Sequence, residues 1–173
     1  LEQIAFIQQL TRKSRFQPRE ALFLATQLVN HGIPNADEFL FQVKKQMPSK
    51  ALQDYIERLE NRHARIQGLS SLKTLLDDRT LFRELYATEG YLLRTGSSNR
   101  DVAVVIFTTK FNNFSFSNLV TDAIFAEIGV SRLFLKDSSG ALYLNGVQGL
   151  CDSLRDLPRA IQLRLSQEDI NKV

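Results

Sequence analysis

The chain has 173 residues, 43% of them apolar and 24% charged, an ordinary mixture for a globular protein of one domain or two small ones. Twenty-two Lys and Arg against nineteen Asp and Glu give a net charge of +3. The charges are interleaved along the chain, so the composition indicates no nucleic-acid partner. The longest apolar run, Val102 to Phe107, is far shorter than the roughly 20 residues of a membrane helix, so we predict no membrane partner. A single Cys151 cannot form an internal disulfide, which predicts a reducing compartment and a cytoplasmic location.

Residues 1–88 are predicted to form a helical domain of about five helices, because their apolar residues recur at helical spacing. Helix starts are predicted at Pro18, after Asn35 in a capping box with Glu38, after Ser49 and near Ser71, with the last helix reaching Tyr86. The predicted inward-facing residues are Ile4, Ile7, Leu10, Ala21, Leu22, Ala25, Leu28, Val29, Phe39, Leu40, Val43, Leu52, Tyr55, Ile56, Leu59, Ile66, Leu72, Leu75, Leu76, Phe82 and Leu85.

Residues 89–173 are predicted to form a partial α/β domain. Tyr91 to Thr95 and Val102 to Phe107 have the composition of strands, and the second is apolar on both faces, as in a central strand covered by helices. The remaining predicted elements are a helix between Ser117 and Gly129, a strand from Ser131 to Leu135, and a helix near Ser153 to Gln167. Strand, helix and strand in this order form a crossover unit, whose two strands are predicted to be parallel.

The loop after Val102 to Phe107 is the first candidate for a ligand site. In an open parallel sheet, loops at the carboxyl ends of strands line the ligand crevice. Backbone N–H groups beside the positive start of the helix after Ser117 can hold an anion or an oxyanion, although a capped turn without a ligand explains the same pattern. No glycine-rich nucleotide motif is present, so no cofactor is predicted. The candidate loop residues are Thr108, Thr109, Lys110, Asn112 and Asn113.

Other residues with catalytic chemistry are predicted to be structural or to lie at the edge of this site. Asp137 follows a strand end and is a candidate residue at the site edge, although an aspartate also commonly opens a turn. Cys151 lacks an evident histidine partner and is expected to pack as a small apolar residue. His31 and His63 are expected to pack or to cap helices, and Asp122 is expected to face water. This set has no metal-ligand spacing, so no metal is predicted.

A longer pattern in the second half resembles bacterial α/β-hydrolase-fold proteins. It consists of Val105-Ile106-Phe107-Thr108-Thr109, Leu133-Phe134-Leu135-Lys136-Asp137 and the segment from Ala141 to Leu150, and it covers about residues 90 to 165. The resemblance implies that Val102 to Phe107 is the third strand of that fold, whose loop lends a backbone N–H to an oxyanion hole. It also implies that Ser131 to Leu135 is the fourth strand, and that the final helix leads into a fifth strand ending in the nucleophile elbow G-x-S-x-G.

The nucleophile elbow does not occur in this sequence. We therefore expect the chain to be the amino-terminal part of a longer hydrolase-like polypeptide and to be inactive by itself, so no catalytic residue is assigned. If the family order holds, Ser131 to Leu135 lies between the other two strands. The sequence alone instead favours a hairpin of Tyr91 to Thr95 with Val102 to Phe107. Because an open edge on Val102 to Phe107 can pair with other strands, we predict self-association or a partner strand there.

The predicted fold class is α+β, with an N-terminal helical bundle followed by an incomplete three-stranded, partly parallel, α/β-hydrolase-like half sheet. Three classes of function remain open. The first is a non-catalytic part of an acyl or ester hydrolase. The second is an interaction or assembly module whose helical half, residues 1–88, docks a protein partner. The third is a weak anion or nucleic-acid binder, whose affinity would fall steeply with salt.

Overall fold

The computed structural model describes residues 17–87, 90–108, 113–114, 116–137 and 140–173. The chain forms two compact units, Leu1–Leu72 and Lys73–Val173. Seven helices and a three-stranded mixed sheet lie within the described residues, which confirms the α+β class. The helix predicted around Ile4, Ile7 and Leu10 lies outside them. The domain boundary predicted at 88–89 stays a prediction, because a compact unit need not coincide with a domain that folds by itself.

The first unit contains three helices that pack against one another: α1 (Pro18–Asn30), α2 (Ala36–Gln46) and α3 (Lys50–Gln67). Pro18 begins α1 and Ser49 caps α3 by accepting the Leu52 N–H, both as predicted. The predicted capping box at Asn35 is wrong, because Asn35 has a left-handed backbone (φ 63°) and its side chain makes no capping bond. The buried helix residues are Ala21, Leu24, Ala25, Leu28, Val29, Ala36, Phe39, Leu40, Val43, Ile56, Leu59, His63 and Ile66.

The helix predicted from Ser71 to Tyr86 is divided into α4 (Ser70–Asp77), which spans the boundary between the units, and α5 (Arg79–Tyr86). The side chain of Asp78 accepts the N–H groups of Thr80 (3.0 Å) and Leu81 (2.9 Å). These bonds satisfy two N–H groups at the start of α5, so Asp78 begins a new helix instead of continuing the old one.

The second unit continues with β1 (Tyr91–Arg94), β2 (Asn99–Phe107), β3 (Asn113–Phe114), β4 (Phe116–Ser117), α6 (Asn118–Ile128), β5 (Val130–Leu135) and α7 (Leu157–Ser166). The main sheet has the order β1-β5-β2, in which β5 is antiparallel to β1 and parallel to β2. The predicted insertion of this strand between the other two is therefore confirmed, and the predicted hairpin is wrong. The short strands β3 and β4 pair with each other inside the segment predicted to be a loop.

The central strand is β5, and all six of its residues are buried. In contrast, β2 lies at the edge of the described sheet and ends in the exposed Phe107. The prediction that β2 is a covered central strand is therefore wrong for these residues. One face of the sheet packs on α7 and the loop before it, through Ala103, Leu133, Leu135, Tyr143, Val147, Leu157, Leu165 and Ile170. Because successive side chains of a strand alternate between faces, Arg132 and Phe134 of β5 point to the opposite face, where α6 packs.

Candidate functional site

The carboxyl ends of β2 and β5 lie side by side, because the two strands are parallel and Phe107 pairs with Leu135. Thr108 follows β2, and Lys136 and Asp137 follow β5, at the edge where a parallel sheet holds its ligands. Thr109, Lys110 and Asn112 lie outside the described residues, and Asn113 lies in β3. The structure therefore brings together two of the predicted site residues, Thr108 and Asp137.

Thr108 is buried and bonded to the neighbouring strand end. Its backbone N–H donates to the carbonyl oxygen of Leu135 (3.1 Å), and its hydroxyl donates to the same oxygen (2.8 Å). The hydroxyl is therefore already used to join β2 to β5. A ligand role for Thr108 stays a prediction. Because the hydroxyl is already bonded, this role would fall to the backbone of Thr108.

Tyr143 completes this cluster, and sequence reasoning missed it. Its hydroxyl lies 2.6 Å from the Thr108 carbonyl oxygen and 2.9 Å from the Leu135 carbonyl oxygen, so one donor bridges the ends of two strands. Its backbone N–H donates to the Asp137 carboxylate (2.9 Å). Burial raises the pKa of the Tyr143 hydroxyl, which favours its protonated, donating form. The only signal in the sequence is an aromatic residue with a polar end soon after Gly140, because a buried tyrosine hydroxyl usually finds a partner.

Lys136, which follows β5, and Asn118, which begins α6, hold the carboxyl end of α5 within the unit Lys73–Val173. The Lys136 ammonium donates to the Glu84 carbonyl oxygen, and the Asn118 amide donates to the Leu85 carbonyl oxygen (2.9 Å). Both side chains are buried, and burial lowers the pKa of Lys136 to about 8. The last carbonyl groups of a helix have no partner within it, so these two side chains act as its C-terminal caps.

Asp122 in α6 is fully buried, so the prediction that it faces water is wrong. Its Oδ1 lies 2.5 Å from Arg132 Nε and 3.6 Å from Arg94 Nε. Arg94 and Arg132 are directly opposite each other on β1 and β5. The carboxylate therefore neutralises part of the repulsion between two arginines that would otherwise destabilise the strand pair.

The outer edge of β2 borders an apolar groove of about 610 Å³ that α7 lines on the other side. Val105, Phe107, Ile161 and Val173 are among its walls, and no lining side chain carries a charge. The lining residues are Val105, Phe107, Leu154, Leu157, Pro158, Ile161, Gln162, Leu165, Ser166, Ile170, Asn171 and Val173.

After α7 the chain returns to the first part of this edge. Lys172 forms a parallel bridge with Val102, the Asp101 carbonyl accepts the Lys172 N–H (3.1 Å), and the Ala103 N–H donates to the Lys172 carbonyl (2.8 Å). The Ala103 N–H thus points to the outer edge, whereas the Thr108 N–H points to β5. Because N–H directions alternate along a strand, Val105 and Phe107 also direct theirs outward, where the described residues supply no pairing strand.

The residues with nucleophile or base chemistry are dispersed. His31 and His63 both lie in the unit Leu1–Leu72, so neither belongs to the unit that contains the sheet. His63 is buried and bonds Asp37 and the Ile33 carbonyl (both 2.9 Å), which confirms a packing role. Cys151 is half-buried, and its thiol contacts the Ser153 carbonyl (3.4 Å). Within the described ranges no three His, Cys, Asp or Glu side chains form a group suited to a metal ion.

Among the helices of the described residues, none is both long and apolar enough to cross a membrane. Comparisons with protein-family models, curated proteins and solved structures found no match to this chain.

Proposed function

We propose that this chain is the amino-terminal part of an α/β-hydrolase-like protein, in which the complete polypeptide hydrolyses an ester or transfers an acyl group. The observation that carries the proposal is the strand order β1-β5-β2 with β5 parallel to β2. The resemblance implies that β5, the fourth strand of the family pattern, lies beside β2, the third. The order of the strands along the chain instead favours a hairpin of β1 with β2. A strand order is an argument by analogy of fold, so the activity needs its own test.

The return of the chain to β2 supports the same proposal. The family pattern calls for a fifth strand, parallel to the third, directly after the helix that corresponds to α7. Lys172, which follows α7, pairs in parallel with Val102 on the outer edge of β2. This is the edge at which the family pattern has its fifth strand. Along Val105 to Phe107 the described residues supply no strand that pairs with the outer edge of β2, and no charged side chain lines the groove beside it. This leaves room for such a strand and for its apolar side chains. In this arrangement residues 1–173 contribute the loop after Thr108 and no nucleophile, so we expect the chain itself to be inactive.

The test uses a fluorophosphonate, which reacts covalently with activated serines. The protein to be labelled is the polypeptide encoded by the complete reading frame. We expect one labelled serine within a G-x-S-x-G motif shortly after Val173 and hydrolysis of p-nitrophenyl acetate. Residues 1–173 alone serve as the control and should remain unlabelled. A complete polypeptide without labelling, or with its labelled serine within residues 1–173, would contradict the proposal.

A second candidate function is an assembly module, and the open edge of β2 favours it. A strand edge with unpaired N–H groups beside an apolar groove can pair with a partner strand or with a second copy. The oligomeric state tests this candidate.

Docking of a protein partner on the helices of residues 1–88 remains part of the same proposal. We also propose a cytoplasmic location, on the basis of the single Cys151.

A further inference from the structure

Leu142 and Tyr143 form a turn that few residues adopt. Both have positive φ angles, 53° and 64°, although neither is glycine. Consecutive side-chain-bearing residues rarely occupy this left-handed region, and such conformations persist only where surrounding contacts impose them. The turn leaves Leu142 82% exposed and buries Tyr143 to 8% exposure. The strained turn therefore buries one side chain, Tyr143, with its hydroxyl against the carbonyl groups at both strand ends.

Three separate contacts hold Tyr143 in this position. Its ring packs edge-on against Phe107, with the ring centroids 5.3 Å apart. Its backbone N–H is bonded to Asp137. Its hydroxyl bridges the carbonyl oxygens of Thr108 and Leu135. Because the Leu135 oxygen also accepts both donors of Thr108, the backbone of Thr108 is held on two sides.

We propose that Tyr143 is a positioning residue that fixes the backbone of Thr108, where the candidate oxyanion loop begins, and that Asp137 positions Tyr143. The inference rests on the proposed function, because the loop acquires catalytic meaning only in a hydrolase. It changes the role of Asp137, which acts by holding the turn and not by touching a substrate. A loop that stabilises an oxyanion must be placed within a fraction of an ångström, so loss of this support should reduce turnover more than substrate binding.

The first experiment measures backbone hydrogen exchange in residues 1–173 with the substitution Tyr143→Phe, which removes the hydroxyl and keeps the ring beside Phe107. We expect the Thr108 amide to exchange about tenfold faster or more, with little change at Leu133 inside β5. The matched control is Tyr55→Phe, which removes a hydroxyl that lies 3.1 Å from Thr26 Oγ1 in the other unit. Unchanged exchange at Thr108 in Tyr143→Phe would overturn the inference, whatever the activity of the complete polypeptide.

The second experiment introduces the same two substitutions into the complete polypeptide. We expect Tyr143→Phe to lower kcat for p-nitrophenyl acetate by roughly tenfold or more while KM stays within about twofold, and Tyr55→Phe to change neither. If the wild type is labelled and active and Tyr143→Phe has the same kcat, the inference is overturned and the proposed function stays intact. A wild type that is neither labelled nor active overturns the proposed function and with it the catalytic role of Tyr143.

Discussion

Asp122 is a buried carboxylate between two arginines of neighbouring strands, and its pairing with Arg132 is a clear target for mutation. Arg132→Met removes the nearer partner and leaves the buried carboxylate with Arg94 alone, whose Nε lies 3.6 Å away. We therefore expect a loss of about 3 kcal/mol in the free energy of unfolding, measured in urea, at the lower end of the cost of breaking a buried ion pair. The double variant Asp122→Leu with Arg132→Met replaces both charges by apolar groups and should recover most of this loss. If the loss of unfolding free energy in the double variant equals the sum of the losses in the two single variants, this account is contradicted.

Lys136 is a buried ammonium group whose pKa is lowered to about 8, below its usual value of 10.5, by burial. Between these two pH values the unfolded chain binds a proton that the folded chain does not, so stability should rise with pH from about 8 to 10.5. We expect the urea midpoint of the wild type to increase between pH 7.5 and 9.5 relative to that of Lys136→Met. This range lies below the titration of ordinary tyrosines, and burial raises the pKa of Tyr86 and Tyr143 further. Equal pH slopes for the two proteins would contradict the prediction.

At the scale of elements, α5 is bounded by side chains at both ends. Asp78 satisfies the first N–H groups, and Asn118 and Lys136 satisfy carbonyl groups of Glu84 and Leu85 at its end. A helix of eight residues is too short to be stable by itself, so its position depends on these contacts and on its packing against α6.

We expect Asp78→Ala to lower the free energy of unfolding by about 1 kcal/mol, because two N–H groups at the start of α5 lose their acceptor. The control is Asp77→Ala at the exposed last residue of α4, which removes the same charge one position earlier and should have an effect of roughly 0.5 kcal/mol or less. Thermal or urea unfolding followed by circular dichroism measures both. Similar losses in the two variants would show that charge, not capping, is responsible.

At the scale of the whole molecule, the proposed association surface is the outer edge of β2 from Val105 to Phe107. If residues 1–173 self-associate through this edge, light scattering should show dimers or larger species at high concentration. Phe107→Lys places a charge at the groove and should shift the population toward monomers, because charged residues on an edge strand oppose edge-to-edge pairing. Leu163→Lys is the control, since Leu163 is an exposed residue of α7 that does not line the groove. A wild type that stays monomeric at high concentration would exclude this association.

Much of the fold follows from local patterns in the sequence. Pro18, Ser49 and Ser117 begin helices as predicted, and Gly129 ends α6 with a left-handed backbone (φ 77°). Helix starts and stops depend on one or two residues and their immediate neighbours, so a sequence can reveal them. The errors at Asn35 and Asp78 concern the bonds of one capping side chain, since Asn35 makes no capping bond and Asp78 accepts two N–H groups.

The sequence by itself determined the helical first half, the three strands and the parallel crossover, because the spacing of apolar residues and the capping residues are local properties. Only the tertiary structure decided which strand is central, that Asp122 is buried between Arg94 and Arg132, and that Tyr143 joins the ends of β2 and β5. Each of these depends on at least one contact between residues far apart in the chain, such as Arg94 with Asp122 and Thr108 with Tyr143. The free energy of such a pairing depends on burial and on the partner's position, which neither residue type nor spacing specifies.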